Sequence, residues 1–183
     1  SGTAKGHKLK TIKGMTTRPT SDRVKEALFN IISEKIAGSE VLDIFAGTGS
    51  LGIEALSRGA KRAVFIDKSP ECCGVIKENI AHTKLTDRAE VYAAGFEYAV
   101  ERLRRAGRKF DIVFLDPPYS KNFIQEALKI MTNNDIMVDN GIIAAEHRVS
   151  DKLPESIGGF EATGTRRYGD TAITFYVKSR NDN

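Results

Sequence analysis

The stretch Asp43-Ile44-Phe45-Ala46-Gly47-Thr48-Gly49-Ser50-Leu51-Gly52 decides the fold. The mostly apolar run Val41 to Phe45 leads into it, and a helix-like segment through Leu56 follows, so it reads as buried strand, glycine turn and helix. Glycines at 47 and 49 let the backbone turn sharply and approach a ligand to contact distance. Gly47, Gly49 and Gly52 satisfy G-x-G-x-x-G, and Asp67 closes the next strand-like run. An acid about 20 residues beyond the loop is placed to reach ribose hydroxyls, which points to an adenosine-containing cofactor.

Outward from this segment the chain alternates. Strands are expected at Arg62 to Asp67, Ala89 to Ala93, Phe110 to Leu115 and Gly141 to Glu146, with helices at Pro70 to His82, Glu97 to Ala106 and Phe123 to Met131. Strands separated by such helices imply a parallel sheet covered on both faces. Phe160 to Arg167 and Thr171 to Val177 are joined by Tyr168-Gly169-Asp170 and must form an antiparallel hairpin at one edge. The expected fold is therefore α/β, a mostly parallel seven-stranded sheet with a C-terminal antiparallel hairpin. Before it, Ser21 or Asp22 caps one amphipathic helix that carries Val24, Ala27, Leu28, Ile31 and Ile32 and ends at Gly38. Residues 1–17 read as a basic, glycine-punctuated arm that forms a short hairpin, 18–37 as the N-terminal helix and 40–183 as the catalytic sheet, together one domain.

The regular expression leaves a dinucleotide and S-adenosylmethionine as candidates. Asp43 discriminates between them. A pyrophosphate at the helix N-terminus disfavours a nearby carboxylate, whereas the α-amino and sulfonium groups of S-adenosylmethionine favour one. A second motif, Asp116-Pro117-Pro118-Tyr119, lies at the C-terminal end of a strand, on the ligand edge of an open parallel sheet. An exocyclic amine of a nucleobase is a poor nucleophile because its lone pair is delocalised into the ring. Acceptors at Asp116 and the Pro117 carbonyl draw that nitrogen toward tetrahedral geometry, the prolines keep them aimed, and Tyr119 offers a flat face to an extruded base.

The 183 residues, 40% hydrophobic and 28% charged, suit a globular chain with a sizeable core. No apolar run is long enough to cross a bilayer and the basic N-terminus lacks a signal-peptide core, so a cytoplasmic location is expected. Cys72 and Cys73 are adjacent, which suits neither a disulfide nor a zinc site; neither disulfide nor metal is expected. Residues 1–25 hold seven cationic side chains against the lone acid Asp22, and Arg102, Arg104, Arg105, Arg108 and Lys109 form a second basic cluster. Such patches suit a polyanionic partner as well as a solvated face.

The two motifs resemble motifs I and IV of amino-directed nucleic-acid methyltransferases. The segment Arg18-Pro19-Thr20-Ser21-Asp22-Arg23-Val24-Lys25-Glu26-Ala27-Leu28-Phe29-Asn30-Ile31 is more specific, and with Gly2-Thr3-Ala4-Lys5-Gly6-His7-Lys8-Leu9 it is similar to the opening of the RsmD family. This resemblance, spanning nearly the whole chain, implies a Rossmann-like class I methyltransferase fold with a reversed last strand. It implies transfer of a methyl group from S-adenosylmethionine to guanine N2 in small-subunit (16S) ribosomal RNA, within the subunit or an assembly intermediate. It implies that Asp43, Gly47 and Gly49 line the methionine end and Asp67 the ribose, with Phe45, Lys68 and Thr20 also on the cofactor. Asp116, Pro117, Pro118 and Tyr119 then position the amine, and Lys5, Lys8, Lys10, Arg18 and Arg23 face RNA, although the Arg18–Arg23 segment suits the methionine carboxylate equally. Where many such enzymes carry an acid for the adenine amine, this chain has Ala93-Ala94-Gly95-Phe96, leaving adenine to backbone groups and packing.

Other readings remain open on the residues alone: adenine-N6 methylation of DNA, a nicotinamide-dependent oxidoreductase, or a non-catalytic RNA-binding protein. His147 beside Glu146 and the Arg166-Arg167 pair are secondary candidates, and Phe45, Phe65, Phe110 and Phe114 are most simply core.

Overall fold

The computed structural model describes residues 2–4, 6–12, 21–118 and 122–178. Its centre is β1 (Glu40–Ile44), which pairs in parallel with β2 (Arg62–Asp67) on one side and β4 (Phe110–Leu115) on the other. β3 (Ala89–Ala93) extends the sheet beyond β2, and β5 (Met137–Arg148) lies beyond β4. Each of these parallel steps requires a crossover, supplied by α3 (Ser50–Ser57), α4 (Pro70–His82), α5 (Phe96–Arg105) and α6 (Phe123–Asn134).

The sheet holds eight strands in the order β3-β2-β1-β4-β5-β8-β7-β6, one more than the sequence predicts. β7 (Phe160–Tyr168) and β8 (Thr171–Lys178) are the expected hairpin, β8 running antiparallel to β5. The extra strand, β6 (Ser156–Ile157), is two residues long and pairs with the start of β7, so it carries no alternation for a pattern to detect. The N-terminal helix also differs from the single one expected. It breaks at Ile32 into α1 (Asp22–Ile31) and α2 (Ser33–Ile36), with Ser21 capping α1 through the Val24 amide at 3.3 Å.

The apolar residues sort onto two faces. Phe29, Ile32 and Leu56 pack with Phe65 and Phe114 on the side of α1 to α4. Leu103, Leu128 and Met131 of α5 and α6 pack with Phe110, Val113 and Tyr176 on the other. Gly52 fixes how close α3 comes to the sheet, since a Cβ there would lie 2.3 Å from Cε1 of Phe65. Gly52→Ala is expected to destabilise the chain by about 1–3 kcal/mol through overpacking. Urea melts check this, and adding Phe65→Leu should return part of the loss.

Candidate functional site

The strand order reverses direction between β1 and β4, and open α/β sheets bind ligands beyond the carboxyl ends of strands at such a point. Ile44 is in register with both Leu115 and Ile66, so the segments after β1, β2 and β4 leave the sheet side by side. This brings Asp43, Asp67 and Asp116 to one edge.

The glycine loop is built from backbone that only special residues tolerate. Gly47 and Gly49 have φ of 58° and 80°, as their sequence spacing requires, and Phe45 also takes a positive φ of 65°. A bulky residue there is strained. Its ring is held by Phe96 at 5.2 Å and Phe123 at 5.7 Å, which ties the loop to α5 and α6. Phe45 is thus half-buried at the site, unlike Phe65, Phe110 and Phe114, which lie in the core.

Asp43 is 2% exposed, and one carboxylate oxygen accepts the Gly52 amide of α3 at 3.0 Å. The chain therefore places its own hydrogen-bond acceptor at the helix N-terminus, where a dinucleotide would place pyrophosphate. Burial pushes the Asp43 carboxyl well above the usual carboxylate range; the Gly52 hydrogen bond opposes this, and the neighbouring charges of Asp116 and Asp67 add to it. Asp67 accepts the Gly47 amide at 2.9 Å on one oxygen and the Ser69 amide at 2.8 Å on the other. Each carboxylate oxygen has two lone pairs, so both can still receive a ribose hydroxyl. Lys68 is exposed beside it, and Ser69 caps α4. Asp116 and Pro117 are half-buried and Pro118 is exposed at the end of β4. Lys5, Arg18, Thr20 and Tyr119, which the sequence nominates, lie outside the described residues, as does 13–20 as a whole.

The arm is predicted to form a short hairpin. Its described part contains turns but no strand and lies against α3 and α4: the Thr3 amide donates to the Ser57 carbonyl at 3.0 Å and the Ala4 amide to Ser57 Oγ at 2.8 Å. Lys8, Lys10 and Arg23 are exposed, and Lys10 Nζ meets Glu78 at 2.6 Å, an exposed pair of small energetic value. Asn79, which the sequence reading passed over, holds this part of the arm. It is 1% exposed; its Oδ1 accepts the Lys10 amide at 2.7 Å, and its Nδ2 donates to the Lys10 carbonyl at 3.1 Å and the Thr48 carbonyl at 3.0 Å. One side chain thereby joins the arm to the glycine loop. The available signal was its place among Cys72, Val75, Ile76 and Ile80 on the buried stripe of α4, where a polar residue requires partners.

Other nominated residues are held elsewhere. His147 lies on β5, with its ring nitrogens hydrogen-bonded to the Arg148 carbonyl and Thr174 Oγ1, both at 2.8 Å. Arg166 and Arg167 are exposed on β7. Cys72 and Cys73 are free and buried on α4, and burial raises both thiols' pKa. Among the described residues no group of three or more His, Cys, Asp or Glu is arranged to hold a metal, and no helix is long and apolar enough to cross a membrane.

A family model described as conserved hypothetical protein 95 matches residues 1–177. The chain is 38% identical to a putative rRNA methyltransferase, YlbH, of Bacillus subtilis, covering 97% of each. It is 30% identical to ribosomal RNA small subunit methyltransferase D of Escherichia coli, over 97% of this chain and 87% of that one. Its fold superimposes on a putative methyltransferase from Escherichia coli, yhhF, with a TM-score of 0.84, at 28% identity and covering 98% and 96% of the two chains.

Two predictions follow from this geometry. Because the folded state holds a proton on Asp43 above the ordinary carboxylate range, wild-type stability attributable to this group falls as pH rises from the unfolded value toward the folded one. Asp43→Asn keeps an acceptor for Gly52 and does not titrate, so thermal melts at pH 4 and pH 7 should shift in its favour at the higher pH. Asn79→Leu strands the Lys10 and Thr48 backbone groups, at about 1–3 kcal/mol for each group left buried and unpaired. Hydrogen exchange at the Lys10 amide should accelerate in that variant well beyond the change at Thr3.

Proposed function

The chain belongs to the RsmD family and has its Rossmann-like class I methyltransferase fold, and from that membership we propose that it methylates guanine N2 in small-subunit (16S) ribosomal RNA, using S-adenosylmethionine. The observation that supports this most directly is the convergence of the glycine loop, Asp67 and Asp116-Pro117-Pro118 at the β1/β4 switch point. We assign residues 1–183 to one methyltransferase domain acting in the cytoplasm, on RNA within the small subunit or an assembly intermediate.

The local geometry suits S-adenosylmethionine. With Asp43 already on the Gly52 amide, the helix N-terminus suits a ligand without phosphates, and Asp67 and Asp116 beside the loop favour a cationic one. Gly47 and Gly49 admit the methionine end with Phe45 beneath them, Asp67 and Lys68 face the ribose, and Thr20 belongs to the same set. Bound there, the cofactor supplies an electrophilic sulfonium methyl group.

The chain's own contribution is to the nucleophile. Asp116 and the Pro117 carbonyl accept the two hydrogens of the guanine amine and localise its lone pair, with Pro118 stiffening the segment and Tyr119 stacking on the base. Attack needs no strong base beforehand, because the methylated amine sheds its proton readily. Lys5, Lys8, Lys10, Arg18 and Arg23 steer the RNA backbone, and Asn79 keeps Lys10 beside the cofactor loop.

The test is transfer of labelled methyl to small ribosomal subunits from cells lacking the endogenous enzyme, and to DNA in parallel. Asp116→Ala is expected to lower turnover at least 100-fold, the scale on which a lost preorganised polar group acts, while cofactor binding survives. Full turnover in that variant would overturn the mechanism, and incorporation into DNA instead of RNA would overturn the substrate.

A further inference from the structure

The second basic cluster has no part in the transfer site, and the fold divides it. Arg108 is committed to Glu90 at 2.8 Å and Glu40 at 3.2 Å, and Lys109 pairs with Asp135. Arg102 is different. Its guanidinium lies over the Tyr92 ring at 5.5 Å and the Tyr98 ring at 5.9 Å, and among the described residues no carboxylate pairs with it.

These groups line an open groove. β3 is the edge of the sheet, so one row of its backbone donors and acceptors faces outward. A cavity of about 470 Å³ follows that edge from Glu90 to Ala94 and is closed by Tyr98 and Arg102 of α5. A second, of about 440 Å³, adjoins it along Tyr98, Glu101, Arg102 and Arg105. Those four recur at i, i+3, i+4 and i+7 and share one helix face. Tyr98 is 58% exposed, and with Ile31 it is one of two large hydrophobic side chains exposed among the described residues. The acids of the groove are occupied, Glu90 by Arg108 and Glu101 by Arg105, so the charge left over is positive. The Arg105–Glu101 pair is itself exposed and weak, and a phosphate can replace its acid.

We propose that this groove holds a single-stranded stretch of the RNA substrate, one base stacking on Tyr98 and the adjoining phosphates lying against Arg102 and Arg105. The proposal rests on the RNA-methylation reading and adds a docking surface outside the transfer site. An aromatic face beside unpaired guanidinium charge is the chemistry that binds unpaired nucleic acid without reading its sequence. A peptide strand added to β3 would use the backbone edge and leave both the Arg102 charge and the Tyr98 face unused. The groove is three strand spacings from β4, about 14 Å, so an RNA strand passing along it reaches Asp116 within a few nucleotides.

The chain contains no tryptophan, so Tyr98→Trp installs a lone fluorescent reporter in the groove. The probe is a single-stranded oligonucleotide copied from the RNA around the methylated site, with the same oligonucleotide annealed to its complement as the control. Stacking should quench the indole with the single strand and not with the duplex. Tyr98→Ala should raise KM for RNA roughly 5- to 150-fold, matching about 1–3 kcal/mol per stacked base, while kcat at saturating RNA and cofactor affinity hold. Arg102→Gln should weaken binding and reduce the slope of log affinity against log salt by about 0.7, the loss of one phosphate contact. An unquenched reporter together with wild-type KM and salt slope, in protein that methylates RNA, overturns the groove. Absence of transfer from wild type to any RNA overturns the functional reading instead, and reporter quenching by the single strand then still supports the groove as an RNA-binding surface.

Discussion

The hydrogen bond from the Gly52 amide to the buried Asp43 carboxylate sets the terms for the rest of the site. It joins the end of β1 to the first turn of α3 across the glycine loop, and so determines where the loop can go. It also answers an unpaired amide at the helix start with the chain's own carboxyl oxygen, so that this amide is already taken where a phosphate would seek it. The same carboxylate is costly. It is desolvated and lies near two further acids, and the fold retains it against that opposition.

A sequence of supports extends from this point. Asp67 holds Gly47 from the side of β2, Asn79 holds Thr48 from α4, and Phe96 with Phe123 hold Phe45 in its strained conformation. The loop is anchored by neighbours on both faces of the sheet, which gives a preorganised site at modest cost in chain entropy. Asn79 extends the same network to the arm, placing the exposed Lys10 and its basic neighbour Lys8 close to the glycine loop. Charge that reads as a free tail in one dimension is part of the folded body in three.

The two basic segments illustrate how little a charge run says by itself. Arg108 bridges Glu40 and Glu90 at the foot of β1 and β3, where it holds strands together. Arg102, six residues earlier and on α5, lies over two tyrosines on the surface. Their side chains are chemically identical, and only the packing of α5 against the β3 edge separates a structural arginine from an available one.

The parallel sheet, its crossover helices, the hairpin and the glycine loop were legible from the chain alone, because strand and helix periods and the demand for positive φ are local properties written into consecutive residues. The candidate acids were legible for the same reason, Asp43 near the end of a strand, Asp67 closing one and Asp116 following one. The two-residue β6, the break at Ile32 and the role of Asn79 were not. A bridge as short as Ser156–Ile157 has no pattern of its own, the break at Ile32 falls within a continuous amphipathic pattern, and the Asn79 contacts depend on residues distant in sequence, with partners 69 and 31 positions away. The left-handed turn at Phe45 belongs with them, since its sequence specifies an apolar ring but only the rings brought in by α5 and α6 hold it at positive φ. What the sequence determined by itself is therefore the set of elements and the chemistry at their ends; which groups end up sharing one hydrogen bond or one groove was decided by tertiary packing, because such contacts join segments that no local period connects.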